Sequence, residues 1–287
     1  MKNIVFVVLH YENLKDTEDC IKSLLKYLSN PAVKIVLVDN GSVNGKLSQI
    51  SESFSNQNGI YFLRSEKNLG FANGNNIGYR YAKEKLNADI IILANNDLIF
   101  KQENFIEELE NAENKTGFDV AGPNIISLVD GKNQNPVNVM YHSLKDLKKR
   151  IFKDSVLLLS SYVNLDKLLQ KIFAKEIPEV PYQEGMDFQL HGACMFFANE
   201  YLKNYDGLYE KTFMYGEENI LKYIATRDNM NMAFLDNLTV YHKEGSSTEA
   251  VYGKKIGKRK FYYKWNLNSC KLLKKMMENE KLSCKEM

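Results

Sequence analysis

The sequence has no long hydrophobic run. The first apolar stretch, residues 4–9, holds six apolar residues before His10, which is too short for a signal-peptide core or a membrane span. No later stretch reaches the roughly eighteen apolar residues that a transmembrane helix needs. We therefore expect an ordinary soluble protein of the cytoplasm.

The sequence also has no large excess of positive or negative charge, and its few cysteines form no recognisable metal-binding or disulfide pattern. The net charge is +2, so the overall charge gives no argument for nucleic-acid binding. The four cysteines, Cys20, Cys194, Cys270 and Cys284, show no metal-ligand spacing. We expect reduced, mostly structural thiols. A chain of 287 residues is long enough for one large domain, or for one domain with an appendage.

The glycine-rich fingerprints of phosphate binding are absent. No G-x-G-x-x-G follows the first predicted strand, and no loop ends in Gly-Lys-Ser/Thr. These loops place backbone N–H groups around phosphates in two large enzyme classes. An ordinary Rossmann dehydrogenase or P-loop enzyme is therefore disfavoured.

What the first hundred residues do contain is an alternation of strands and helices. Four apolar runs, at residues 4–9, 33–38, 60–63 and 90–94, are separated by helical patterns. The first such helix has apolar residues at helical spacing, with Asp16 or Thr17 as its predicted cap. This order predicts a mostly parallel sheet with right-handed crossovers.

The second half is less regular. Strands are predicted at residues 193–197, 232–235 and 238–242, with a helix that starts at Glu217. A lysine- and leucine-rich insertion at about 137–180 is predicted to form one or two amphipathic helices. This insertion is either an acceptor-side lid or a pair of packing helices.

Polar residues follow two of the buried strands. Asn95, Asn96 and Asp97 end the fourth apolar run, and Asp39 ends the second. In an open α/β sheet ligands bind at the carboxyl ends of the strands. A carboxylate with amides there suits a hard divalent cation that holds a phosphate, although the same residues also form turns and helix caps.

Five stretches in order resemble the family 2 glycosyltransferases, in particular the bacterial rhamnosyltransferase-like enzymes of capsule, O-antigen or exopolysaccharide synthesis. They lie at residues 8–20, 38–42, 68–76, 93–97 and 213–218, the last followed by Val240-Tyr241-His242. The resemblance implies an α/β GT-A fold, a Rossmann-like, mixed and mostly parallel sheet flanked by helices. It also implies a nucleoside-diphosphate-sugar donor, a UDP- or dTDP-sugar, and Mn²⁺ or Mg²⁺.

The resemblance further implies roles for individual residues. Asp97 binds the metal, with His242 as an additional ligand, and Glu218 or Glu217 is the catalytic base. His191 and Tyr215 lie on the acceptor side. The donor-binding residues are Tyr11, Glu12, Asp39, Asn40, Gly41, Asn68, Gly70, Asn73, Asn76, Asn95 and Asn96.

Four positions depart from the family's pattern. Asn95 stands where many relatives have the first Asp of Asp-x-Asp, and Glu12 stands where Asn is usual. Glu218 replaces the usual Asp, and Ile220 replaces an acidic residue. Either Glu218 reaches the acceptor with a longer side chain, or Glu217 shares its role.

The glycosyltransferase domain is predicted to span residues 1–248, followed by a basic, aromatic helical tail at 249–287. Basic residues between Lys254 and Lys264 accompany Phe261, Tyr262, Tyr263 and Trp265. The tail either contacts an anionic membrane surface or packs on the domain with its lysine stems. No recognised nucleic-acid module is present.

The sequence thus predicts an inverting, metal-dependent glycosyltransferase. Its acceptor would be a saccharide or a lipid-linked oligosaccharide, on the cytoplasmic face of a bacterial membrane. Two alternatives remain: a non-catalytic nucleotide-sugar-binding protein, and a nucleotidyltransferase that makes the activated sugar.

Overall fold

The computed structural model describes residues 1–54, 57–141, 143–173, 185–244 and 255–283, with the side chains of 257–279 in the last range. The strands are β1 (Ile4–His10), β2 (Val33–Asp39), β3 (Ile60–Arg64), β4 (Ile90–Asn95), β5 (Leu98–Ile99), β6 (Val120–Ser127), β7 (Val137–Asn138), β8 (Phe188–Gln189), β9 (Cys194–Phe197) and β10 (Met232–His242). The helices are α1 (Leu14–Leu24), α2 (Ser48–Phe54), α3 (Gly70–Lys85), α4 (Phe105–Thr116), α5 (Leu144–Ser161), α6 (Asp166–Phe173), α7 (Asn199–Asn204), α8 (Glu217–Arg227) and α9 (Lys255–Ser283).

Eight of the strands form one mixed sheet, in the order β3-β2-β1-β4-β9-β6-β10-β5. The first four are parallel to one another, and so are β6 and β10. β9 runs antiparallel to β4 and β6, and β5 runs antiparallel to β10. The predicted mixed, mostly parallel sheet flanked by helices is confirmed.

Each predicted strand is present in the structure, but one strand boundary and one helix start differ from the prediction. The two strands predicted at 232–235 and 238–242 are one strand, β10, whose register against β6 shifts between Leu235 and Thr239. Helix α1 begins earlier than predicted, because Asn13 caps it by accepting a hydrogen bond from the Asp16 N–H. Asp16 and Thr17 therefore lie inside the helix.

The side chains of β1 point alternately to the two faces of the sheet, and the apolar core has one layer on each face. Phe6 packs in one cluster with Leu24 of α1 and Phe105 of α4. Its neighbour Val7 packs in the other cluster with Tyr79 of α3. Successive side chains of a strand point to opposite faces, so a continuous apolar run buries both faces of the sheet under helices.

The predicted insertion and the predicted tail pack against each other. Leu147 of α5, Ile220 and Ile224 of α8, and Cys270 and Leu273 of α9 form a third apolar cluster. The insertion contains β7, α5 and α6; its last part, 174–180, lies outside the described residues, as does the predicted domain boundary at 248.

Cys20, Cys194 and Cys270 are buried free thiols, as predicted, and Cys284 lies outside the described residues. None of the helices in the described ranges is long and apolar enough to cross a bilayer.

Candidate functional site

The ends of three parallel strands meet at one edge of the sheet. Leu9 of β1 pairs with Asn95 of β4, and His10 pairs with Asp39 of β2. The reversed strand β9 begins at the same edge, since Cys194 pairs with Ala94. The polar residues after β2 and β4 and the residues before β9 therefore come together, as the carboxyl ends of an open α/β sheet do.

A cavity of about 300 Å³ opens at this edge. Its lining unites twelve of the predicted site residues with seven others. The predicted ones are Tyr11, Asn40, Asn68, Gly70, Asn95, Asn96, Asp97, His191, Tyr215, Glu217, Glu218 and His242.

Asp97 and His242 form the polar corner of the cavity. The Nε2 of His242 lies 3.3 Å from the Asp97 Oδ1, and that oxygen is buried without a hydrogen-bond partner among the described residues. On the other side of the ring, Nδ1 lies 2.7 Å from the Gln134 Oε1, while the Gln134 Nε2 donates to Glu244 at 2.8 Å. The glutamine oxygen thus accepts the Nδ1 proton, which leaves Nε2 as the ring atom that faces Asp97.

This pair of donors suits a divalent cation. A carboxylate oxygen without a hydrogen-bond partner and an imidazole nitrogen face each other 3.3 Å apart, and a cation could bind both. The described residues hold no group of three or more His, Cys, Asp or Glu side chains arranged for a metal. A cation at Asp97 and His242 would therefore need its remaining ligands from substrate and water.

The two asparagines before Asp97 are held by neighbouring elements. The Asn96 Nδ2 donates to the Thr17 Oγ1 of α1 at 2.8 Å. The Asn95 backbone N–H donates to the carbonyl of Ala193 at 2.9 Å, which fixes the strand end against the turn before β9. The position of Asp97 is thus supported from both sides.

His191 lies beside the polar corner formed by Asp97 and His242, with its ring centroid 6.0 Å from that of His242. Its Nδ1 accepts a hydrogen bond from the Ala193 N–H at 3.2 Å. Burial, and after it the nearby His242, lowers the pKa of His191 to about 4. His191 is therefore neutral at pH 7 and presents Nε2–H as a donor.

The carboxylate pair lies at the start of α8, after Gly216 in a left-handed conformation (φ 85°). Burial, followed by the charge of Glu218, raises the pKa of Glu217 to about 8. Burial also raises the pKa of Glu218, but its carboxylate accepts hydrogen bonds from the N–H groups of Gly192 and Gly216. These donors favour the ionised form, so Glu218 is the better candidate for the carboxylate of the pair.

Gly192 is what allows Glu218 to lie there. A Cβ atom built on Gly192 would lie 2.4 Å from the Glu218 Oε1. Any side chain at this position would push the carboxylate out of place. Sequence reasoning gave Gly192 no role, since the contact joins residues far apart in the chain.

The turn before α3 forms another wall. The Asn40 side chain accepts from the Leu69 N–H at 3.0 Å and donates to the Gly70 carbonyl at 3.0 Å. Gly70 has φ 84°, and a Cβ there would lie 2.1 Å from the Phe213 carbonyl oxygen. The next N–H, of Phe71, donates to that carbonyl at 2.7 Å. These contacts join the turn to the segment that leads into the carboxylate pair.

Three other predicted donor residues lie outside the cavity lining and shape the loop after β2. The Glu12 carboxylate accepts from the backbone N–H groups of residues 43–45. The Asp39 carboxylate accepts from the N–H groups of Ser42 and Leu47. Gly41 packs against the backbone of Lys67, where a Cβ would lie 2.3 Å from the Lys67 carbonyl carbon. Their direct contact with a donor stays a prediction.

Asn73 and Asn76 of α3 also lie outside the lining. The Asn73 Nδ2 donates to the Glu210 carbonyl at 2.7 Å. Asn76 is buried and bonds both the N–H and the carbonyl of Leu208, at 2.7 and 2.8 Å. In the described structure both amides hold the 207–210 loop, and their predicted donor contacts stay untested.

The tail helix α9 contributes directly to the cavity through Phe261. Trp265 stacks on Phe213, with ring centroids 4.5 Å apart, and Phe261 meets the edge of Tyr215 at 6.2 Å. The aromatic residues of the tail were the available sequence signal, although the pattern does not reveal which of them reaches the cavity.

Comparisons with known proteins identify the family and the fold. The family model described as glycosyl transferase family 2 matches residues 5–166. The low-salt glycan biosynthesis hexosyltransferase Agl10 of Haloferax volcanii is 26% identical over 235 residues, which cover 81% of this chain and 65% of that protein. The chain thus spans less than two thirds of that relative's length.

Two solved structures are similar in fold. S. aureus TarS 1–349 in complex with UDP-GlcNAc has a TM-score of 0.55 at 15% identity, covering 88% of this chain and 64% of that one. The mannosyltransferase PcManGT of Pyrobaculum calidifontis, in complex with GDP-Man and Mn²⁺, has a TM-score of 0.53 at 12% identity, covering 95% and 74%. The likeness shows the predicted GT-A fold.

Proposed function

The chain belongs to glycosyl transferase family 2, and from that premise we propose that it transfers a sugar from a nucleoside-diphosphate-sugar to an acceptor hydroxyl, with inversion at the anomeric carbon. The observation that carries the proposal is the single cavity that holds both Asp97 with His242 and Glu217 with Glu218. Glycosyl transfer needs a site for the leaving diphosphate and a base for the incoming hydroxyl, and this cavity offers both.

The donor would lie along the wall formed by Tyr11, Asn40, Asn68 and Gly70, with Glu12 and Asp39 holding the loop that borders it. A UDP- or dTDP-sugar is the proposed donor. Support comes from the TarS structure, whose ligand is UDP-GlcNAc, although PcManGT binds a guanosine donor.

Asp97 and His242 would hold Mn²⁺ or Mg²⁺, since the Asp97 Oδ1 has no hydrogen-bond partner among the described residues and faces the His242 Nε2 at 3.3 Å. When bound, the cation would stabilise the negative charge that develops on the departing diphosphate, as Lewis acids do. Asn96 and Asn95 keep the Asp97 carboxylate at the strand end.

Glu218 would take the proton of the acceptor hydroxyl. The acceptor oxygen forms a bond to the anomeric carbon while the bond from that carbon to the diphosphate oxygen breaks, and the proton passes to Glu218. Glu217, mostly protonated at neutral pH because its pKa is about 8, avoids a second buried charge beside the base. Phe213, Tyr215 and Phe261 would exclude water from the sugar.

The proposed acceptor is a saccharide or a lipid-linked oligosaccharide, bound near His191 and Tyr215, in the synthesis of a capsule, O-antigen or exopolysaccharide in the bacterial cytoplasm. A rhamnosyl donor is one member of the proposed class. The curated relative, a glycan biosynthesis hexosyltransferase, supports a role in glycan assembly.

The test is a panel of nucleotide sugars incubated with purified protein and Mn²⁺, with nucleoside diphosphate release as the measurement. Asp97→Asn should abolish release and the thermal stabilisation by Mn²⁺ with UDP. Asp236→Asn, an exposed aspartate on the same strand as His242, is the matched control and should change neither. Donor binding without turnover would favour the non-catalytic alternative, and pyrophosphate release from a sugar phosphate and a nucleoside triphosphate would favour a nucleotidyltransferase.

A further inference from the structure

The helical hairpin of α5 and α6 exposes a patch of large apolar side chains. Six of them are between 53% and 71% exposed. We call them the hairpin patch: Phe152, Leu159, Val163, Leu165, Leu168 and Ile172. Tyr162 of the hairpin is exposed as well, and the other exposed large apolar residues of the described chain are scattered from Met1 to Met186, so the concentration at the hairpin is local. Single exposed apolar residues need no explanation, but a contiguous patch indicates a binding surface.

The exposed apolar residues of the hairpin patch are spaced so that they fall on one side of each helix. Phe152 and Leu159 are two turns apart on α5, and Leu165, directly before α6, is followed at intervals of three and four by Leu168 and Ile172 on α6. α5 buries another of its sides, with Leu147 and Leu157, in the packed interior, whereas Asp166 is the one buried residue of α6. A surface helix normally turns its apolar stripe to the core, and α6 turns it to solvent instead.

Among the described residues of the hairpin, the exposed charges are almost all positive. Residues 144–173 contain seven Lys and Arg and three Asp. Asp154 and Asp166 are buried and bonded to Arg150 and Arg259. The third, Asp146, is bonded to the capping Ser143. The exposed lysines of the hairpin are Lys145, Lys148, Lys149, Lys167 and Lys171.

A basic groove runs beside the patch, between α5, α6 and α9. It encloses about 620 Å³ and is lined by Arg150, Lys153, Lys167, Lys171 and Arg259. Tyr262 and Tyr263 of α9 complete the lining, and the Tyr262 hydroxyl accepts a hydrogen bond from Arg150 at 2.9 Å. Guanidinium and ammonium groups in such a groove match phosphate oxygens.

We propose that this hairpin docks the protein on an anionic bilayer, with the hairpin patch at the headgroup boundary and lipid phosphates in the basic groove. An apolar stripe flanked by Lys and Arg is the pattern of helices that lie in a membrane interface. A two-fold contact between copies of the chain would place the same basic groups against each other, which disfavours self-association. The inference rests on the hairpin surface and does not require the proposed function.

Helix α9 connects the proposed docking surface to the cavity. Phe261 lines the cavity, and its neighbour Tyr262 lines the basic groove while its ring meets that of Tyr215 at 4.9 Å. One helix therefore separates the groove from the candidate acceptor side. A docked protein would hold its cavity close to acceptors carried by the membrane.

The test is co-sedimentation of the full chain with vesicles of phosphatidylcholine alone and of phosphatidylcholine mixed with phosphatidylglycerol, at low and high salt. We expect binding to the anionic vesicles that weakens as salt rises. Phe152→Ser/Leu159→Ser/Leu168→Ser should lower the partition coefficient by about tenfold or more, because these side chains would leave water on docking. Lys148→Gln/Lys149→Gln/Lys167→Gln should weaken binding to the anionic vesicles and reduce its salt dependence.

Leu128→Ser/Val129→Ser is the matched control, since both residues are exposed (49% and 72%) and lie outside the hairpin; it should bind like the wild type. Unchanged melting temperatures would show that each variant is folded. The proposal is overturned if the wild type fails to bind anionic vesicles at low salt, or if the hairpin variants bind undiminished. It is also overturned if gel filtration shows a dimer, or a complex with an added acidic protein, that only the hairpin variants lose.

Discussion

Replacing Glu218 by glutamine should separate the chemical step from donor binding. Glutamine has nearly the same shape, and its amide oxygen can still accept the hydrogen bonds from the Gly192 and Gly216 N–H groups. What it loses is the capacity to take a proton. A general base contributes about 10²–10⁴-fold in rate, so we expect kcat for transfer to fall by that factor while the Kd for the donor stays the same.

Glu217→Gln is the informative partner variant. Because the pKa of Glu217 is about 8, about nine tenths of this side chain is protonated at pH 7, and glutamine imitates the protonated form. We therefore expect kcat at pH 7 to stay within a few-fold of the wild type. The exposed Glu107→Gln, on α4, controls for the loss of a carboxylate elsewhere.

The assay measures nucleoside diphosphate release with and without acceptor, together with donor binding by calorimetry. A large loss in Glu217→Gln with little loss in Glu218→Gln would exchange the roles of the two residues. Full activity in both variants would refute the assignment of a carboxylate base to α8.

Three further predictions test other parts of the site. Gly192→Ala should lower kcat by about tenfold or more, because its Cβ would displace the Glu218 carboxylate, with unchanged donor affinity showing that the effect is local. Glu217→Gln should melt at a higher temperature than the wild type, by a margin that grows from pH 4.5 to about 8. In this range the folded wild type keeps a proton that the unfolded chain has lost, so the stability of the wild type falls as pH rises. A difference in melting temperature that stays constant with pH would contradict the raised pKa. Gln134→Leu should weaken Mn²⁺ binding to the UDP complex by about 10–100-fold, because His242 would lose the hydrogen bond that supports it as a metal ligand. Electron paramagnetic resonance titration measures the Mn²⁺ affinity, with Gln57→Leu, at an exposed position, as the control. An unchanged affinity would argue against His242 as a ligand.

The strand ends were predictable from the sequence because buried parallel strands appear as uninterrupted apolar runs that stop at polar residues. Asn95, Asn96 and Asp97 therefore lie where the pattern placed them. The two-residue strands β5, β7 and β8 were not predicted, since two residues leave no periodic signal.

Contacts between distant parts of the chain were harder to predict. The approach of Gly192 to Glu218 and the insertion of Phe261 into the cavity depend on how α8 and α9 pack, and no local pattern encodes that. The amides of Asn73 and Asn76 contact the 207–210 loop, and the sequence did not indicate this contact either; their predicted role in donor binding stays a prediction.

The ionisation of Glu217 and Glu218 depends on two opposing effects, the helix dipole and burial, and only the first can be read from the sequence. At a helix N-terminus the dipole favours ionised Glu, and the sequence alone therefore suggests two ordinary carboxylates. The structure buries both of them, and because desolvation is the larger effect, the pKa of each is raised. A base is most effective when its pKa lies near the working pH. Burial therefore brings Glu218 closer to that condition than an exposed helix terminus would, while the N–H groups of Gly192 and Gly216 keep it able to ionise.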